Sequence, residues 1–129
     1  MKKTLIAFVF IFVFSASAFS SDTIEVIIDY GGSGKAETHK LEFNEGDTVL
    51  MALQKTAVVE THPVGGYIFV TSVNGVKGVR GETAWYYEVN GKNAKVVASS
   101  NTITPDMKTV KWKYEEDVCS KTVDKVRGK

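Results

Sequence analysis

The chain has 129 residues, 16 Lys and Arg against 15 Asp and Glu, and 43% hydrophobic residues. That suits one ordinary domain with a real core. Its near-neutral charge, with no block of basic residues, excludes a nucleic-acid or anionic-membrane binder of the electrostatic kind. A single cysteine, Cys119, cannot close a disulfide within its own chain.

The first elements are an address. Met1-Lys2-Lys3 is cationic, Thr4–Phe14 (TLIAFVFIFVF) is apolar, and Ala16-Ser17-Ala18 has the small-x-small spacing of a cleavage site. Together they read as a secretory signal over residues 1–18. Eleven residues are too few to span a bilayer, which takes about 20. Ser20, Ser21 and Asp22 follow, with no cysteine to lipidate. The expectation is a mature protein exported to the periplasm or the extracellular space, without stable membrane insertion. Its domain would cover residues 19–115, with a charged tail over 116–129.

Thr23–Tyr30 (TIEVIIDY) alternates with a period of two and reads as a strand. Gly31–Lys35 is a turn, and Glu37–Phe43 alternates again, which makes a hairpin with His39, Leu41 and Phe43 on one face. Thr48–Ala57 carries apolar residues at helical spacing, with Asp47 or Thr48 able to cap it. His62–Gly66 reads as loop. Tyr67–Val73 (YIFVTSV) is a strand followed by an Asn74-Gly75 turn. Val76–Thr83 is polar loop, Ala84–Val89 a strand, Asn90-Gly91 a tight turn, and Ala94–Ala98 a weak return. Thr109–Glu115 alternates, with Val110, Trp112 and Tyr114 directed inward. Glu116–Lys129 has no pattern that demands a helix and reads as a frayed end. The sum is an α+β fold, a mixed sheet of about five strands with one helix on one face.

Two hairpins with a helix between them and a closing strand follow the β-grasp order. Phe69–Val76 (FVTSVNGV), Trp85–Gly91 (WYYEVNG) and Val110–Tyr114 (VKWKY) together resemble the transcobalamin-like C-terminal domain family. The W-x-Y-x-V-N-G stretch is the most specific part. Family members often place Gly-Asp before the last strand, where this chain has Pro105-Asp106-Met107-Lys108. The resemblance implies a β-grasp scaffold and a cobalamin-like corrinoid as the ligand; no other cofactor is implied.

The residues themselves offer few catalytic groups. There is no G-x-S-x-G, no C-x-x-C, no H-x-x-x-H and no phosphate loop, since Gly31–Lys35 leads into a strand. His39 alternates inward as an edge or core histidine. His62, before Pro63 in a loop, is freer to contact a ligand. Arg80 lies in a glycine-flanked loop and suits a carboxylate. Trp85 stands at a strand entrance as a platform for a flat ligand, Tyr86 faces the other way, and Tyr67 is a further candidate contact. The expectation is a non-enzymatic binding module using His62, Tyr67, Arg80, Trp85 and Tyr86. Its partner is a planar small molecule or, in the alternative, a protein paired through a sheet edge. A hydrolase without a motif is the third possibility.

Overall fold

The computed structural model describes residues 22–126, so residues 1–18, expected to be a secretory signal, lie outside the described residues. Strands β1 (Thr23–Asp29) and β2 (Glu37–Glu42) form the first hairpin, in register from Thr23↔Glu42 to Ile28↔Glu37. The turn between them is tied by the Gly31 N–H, which donates to Asp29 Oδ1 at 2.9 Å. Gly31 has φ +62°, and a Cβ there would collide with the Tyr114 carbonyl oxygen, so only glycine fits.

Helix α1 (Val49–Thr56) is capped by Thr48, whose Oγ1 accepts the Met51 N–H at 3.2 Å. Asp47 accepts the Asn44 N–H at 3.0 Å and pairs with Lys55 Nζ at 3.1 Å. The helix buries Val49, Leu50, Ala52 and Leu53. These meet Ile24, Val26 and Ile28 of β1, and Val110 and Trp112 of β8 (Thr109–Glu116). Full burial of a residue such as Leu53 is worth about 2–3 kcal/mol.

The chain continues through β3 (Val59–Val64), β4 (Tyr67–Val73), β5 (Val76–Lys77), β6 (Thr83–Val89) and β7 (Lys92–Asn93). A 3-10 turn (Ala98–Ser100) and β8 follow. The main sheet has the order β2-β1-β8-β6-β7. The first and last strands pair in parallel at its centre, from Glu25↔Thr109 to Asp29↔Lys113, and β6 runs antiparallel to β8. The fold is mixed α+β, as the alternating runs and the single strong helical stripe predict.

Three expectations are corrected. Tyr67–Val73 does not join the main sheet; it centres a second sheet, β3-β4-β5. Its partner is Val59–Val64, part of which reads as loop because it holds Pro63 and alternates poorly. As an edge strand it tolerates a proline. Lastly, the frayed tail is instead helix α2 (Val118–Val126).

Both Asn-Gly turns have the geometry of tight hairpins: Asn74 and Gly75 at φ 48° and 84°, Asn90 and Gly91 at 51° and 82°. No helix among the described residues is long and apolar enough to cross a membrane.

Candidate functional site

β6 has an edge that its neighbours cover only in part. On the side away from β8, Val89 pairs with Lys92 and the Tyr87 carbonyl accepts the Ala94 N–H at 3.1 Å. At the other end the Thr83 carbonyl accepts the Val79 N–H at 2.9 Å. β4 faces this edge from the second sheet. Its Thr71 carbonyl accepts the Gly78 N–H at 2.8 Å, and its Ile68 N–H donates to Ser99 Oγ at 3.2 Å. Gly78 sits where a side chain would touch both sheets, with a Cβ 3.1 Å from the Thr83 carbonyl oxygen.

Two chain segments therefore enter the interval between β4 and β6 from opposite ends, Val76–Val79 from one and Lys92–Ala94 from the other. They do not meet. The interval left between them is a cleft of about 350 Å³. Ile68, Phe69 and Val70 form one wall, and Trp85, Tyr86 and Tyr87 the other. Ala94–Ala98, Trp112 and the start of α2 complete it. Its size falls at the small end of the range for ligand sites, and its lining is mainly apolar, as such sites are.

The aromatic wall is fixed from behind. Trp85 is buried, donates its Nε1–H to the Val76 carbonyl at 2.8 Å, and meets Tyr30 edge-on with ring centroids 5.8 Å apart. Tyr87 stacks on Trp112 at 4.9 Å, donates its hydroxyl hydrogen to the Val96 carbonyl and accepts from Asn101 Nδ2 at 2.9 Å. These bonds tie Ala94–Asn101 to β6. Among the described residues the buried Trp112 indole N–H has no hydrogen-bond partner.

The third wall is held by a carboxylate. Asp117 is 5% exposed. Its Oδ2 accepts the Gly81 N–H at 2.9 Å, while Oδ1 accepts the Tyr86 hydroxyl and the Ser120 N–H, each at 3.0 Å. Burial by itself would raise this carboxyl, but the hydrogen bonds from Gly81, Ser120 and Tyr86 outweigh it and hold the group at about 2. The Tyr86 hydroxyl also accepts the Cys119 N–H at 3.2 Å, and burial pushes its ionisation well above the ordinary range. Asp117 is thus an N-cap for α2 and a bolt between that helix, β6 and the Val79–Glu82 turn. Cys119, a free and exposed thiol, stands at the mouth of the cleft.

Of the residues singled out in the sequence, the cleft gathers Trp85 and Tyr86. Trp85 is a core side chain whose edge reaches the cleft, not an open platform. His62 is exposed on β3 opposite Phe69, and Tyr67 is exposed at the start of β4. Arg80 lies in the turn before β6; none of these three lines the cleft. Sequence reasoning missed Ile68–Val70, Ala94–Ala98 and Val118. The available signal was the apolar run Ile68-Phe69-Val70, too continuous for a strand with one wet face. Among the described residues no group of three or more His, Cys, Asp or Glu side chains gathers to hold a metal ion.

The fold is shared with solved structures. One is a provisionally named metal-binding protein from Ruminococcus gnavus ATCC 29149 (TM-score 0.63, 12% identity), where the likeness covers 74% of this chain and 97% of that one. Another is haptocorrin in complex with Cbi (TM-score 0.59, 12% identity), where it covers 74% of this chain and 26% of that one. The chain therefore corresponds to about a quarter of haptocorrin. No curated protein sequence matches it. Residues 46–116, from the capping turn of α1 to the end of β8, match the family described as Domain of unknown function (DUF4430), and the chain belongs to that family.

Proposed function

We propose that this protein is an exported, non-enzymatic binding module whose site is the cleft between β4 and β6. The observation that carries this is the cleft itself: aromatic and aliphatic walls, braced from behind, open to solvent in front. Exposed Ile68, Phe69, Val96 and Val118 line it. Apolar side chains left in water beside a preformed cleft point to a ligand rather than to stability. Export rests on the signal pattern of residues 1–18. In this reading residues 19–115 form the binding domain, and the tail contributes α2 as a wall.

The ligand we propose is a planar small molecule of the corrinoid class. Support comes from the resemblance of the W-x-Y-x-V-N-G stretch and from the fold shared with haptocorrin, whose structure holds Cbi. A cleft of this volume holds one edge of such a ligand and leaves the rest open. Ile68 and Phe69 would lie against its apolar edge, and Lys95 and Asn93 near its polar groups. His62, Tyr67 and Arg80 stand outside the walls and would touch only a ligand that extends beyond them.

The test is titration of the purified protein with cobalamin, following tryptophan fluorescence and the visible spectrum of the ligand. Saturable quenching at micromolar protein, weakened at least tenfold by Phe69→Ala, is the expected result. Phe69 is the variant of choice because it is exposed; Trp85→Ala would cost about 3–5 kcal/mol of core. No response from protein folded by circular dichroism would remove the corrinoid.

A further inference from the structure

The backbone of β6 shows what else the cleft can bind. Residues of a strand point their N–H and C=O groups alternately to its two sides. The bonds of Thr83, Tyr87 and Val89 place those residues' backbone groups on the side facing β4. Trp85 shares their phase. Its own N–H and C=O therefore face the cleft, and among the described residues neither has a partner there. Thr83 exchanges bonds with Val79, the Tyr87 carbonyl accepts from Ala94 and Val89 pairs with Lys92; among the described residues the gap in the ladder is centred on Trp85.

β4 is open over the same stretch. It is paired with β5 only at Ser72 and Val73, extended by Thr71 to Gly78. Between that bond and the Ile68–Ser99 bond, Phe69 and Val70 border the cleft. The opening runs from Val79 to Ala94 along β6 and takes about three extended residues, roughly 10 Å at about 3.3 Å per residue. Buried or half-buried backbone groups without partners are rare and costly. Here they sit between two parted strand edges with apolar walls above and below.

We infer that the cleft accepts an extended peptide end of about three residues, added as a strand to β6 and completing the ladder at Trp85. The Trp85 N–H donates to the carbonyl of one peptide residue, and the Trp85 carbonyl accepts the N–H of the residue two further along, the staggered bonding of a parallel pair. Successive peptide residues alternate faces and set small apolar side chains by turns against Phe69 and Val118. Charge chooses the direction. Lys95 lies at the Tyr87 end of the cleft and joins no ion pair among the described residues, whereas Glu115 is engaged by Lys113 at 3.5 Å. A free C-terminal carboxylate is therefore placed beside Lys95, with the peptide parallel to β6. The inference rests on the cleft being the binding site, not on the ligand being a corrinoid.

The probe is acetyl-Ala-Val-Ala with a free carboxylate, titrated into the ¹⁵N-labelled protein. Three singly N-methylated versions and the C-terminal amide are run beside it. Saturable shifts at Val70, Trp85 and Tyr86 are expected, with slowed hydrogen exchange of the Trp85 amide. N-methylation should weaken binding at least tenfold at one position, and the C-terminal amide should weaken it several-fold. Equal affinity for all three N-methylated peptides, shifts confined to the β2 edge, or no saturable binding would each overturn strand addition. A parallel cobalamin titration separates the failures. A corrinoid response without a peptide response removes this inference and keeps the cleft; silence from both removes the cleft as well.

Discussion

β1 and β4 are strands of equal length and similar apolar content, and they end in opposite conditions. In β1 (TIEVIID), Ile24, Val26 and Ile28 are at most 1% exposed. In β4 (YIFVTSV), Tyr67, Ile68 and Phe69 are 53%, 40% and 42% exposed, while Ser72 and Val73 at its far end are buried. Strand propensity is the same in both. The difference lies in neighbours: β1 has strands on both sides and α1 above it, whereas the first half of β4 pairs with β3 on one side and meets only the Ala98–Ser100 turn on the other. Burial follows from what is packed against a strand, not from its own residues. The apolar side chains of β1 stabilise the fold, and those at the start of β4 are, in the function proposed above, the ones left for a ligand.

The largest expected effect breaks the β1 side. Leu53→Ala removes a fully buried side chain of α1 that packs in the core with β1, and should cost about 2–5 kcal/mol in urea unfolding. A loss below about 1 kcal/mol would mean that the helix does not seal that face.

Next is the bolt beside the cleft. Asp117→Ala removes the α2 cap and the acceptor for Gly81, Tyr86 and Ser120, at about 2 kcal/mol. Amide exchange should speed up in α2 and in Val79–Glu82 while β1 stays protected. Uniform loss of protection would show that α2 belongs to the global core.

Acid acts on the same group more gently. The folded Asp117 carboxyl is held at about 2, below its ordinary value near 4. Its contribution is therefore complete above about pH 5 and is lost as the pH falls from about 4 to about 2. Stability should drop over that range, and Asp117→Asn should flatten the part of the drop that this group supplies.

The smallest effect on stability should have a large effect on binding. Ile68→Ser changes an exposed residue and should stay within about 0.5 kcal/mol of the parent. Binding of cobalamin should fall at least tenfold, as read by fluorescence. A variant that loses stability and keeps affinity would reverse the roles assigned to β1 and β4.

Much of the fold is legible in the sequence because its signals are local. Val110, Trp112 and Tyr114 alternate with lysines, and the structure buries the first two and half-buries the third. His39 alternates inward and is found half-buried beside Glu37 at 3.1 Å. Asn74-Gly75 and Asn90-Gly91 specify their turns by the positive φ that each requires. What is not legible depends on distant partners. That Tyr67–Val73 leaves the main sheet is decided by Val59–Val64, whose Pro63 and exposed polar residues mask a strand. α2 hangs on Asp117, whose capping role needs Gly81 and Tyr86, both more than thirty residues away. The cleft is harder still, since it is an interval between two strand edges and belongs to no continuous motif. Trp85 and Tyr86 could be found as aromatics in a distinctive stretch; Ala94–Ala98 could not.

The most direct test of the cleft as the binding site is an amide chemical-shift map of the ¹⁵N-labelled protein titrated with cobalamin. The account predicts saturable shifts gathered on Ile68–Val70, Trp85–Tyr87 and Ala94–Ala98, with β2 unmoved. Shifts centred on β2 or on the β1–β2 turn, or no saturable shift at all, would contradict it.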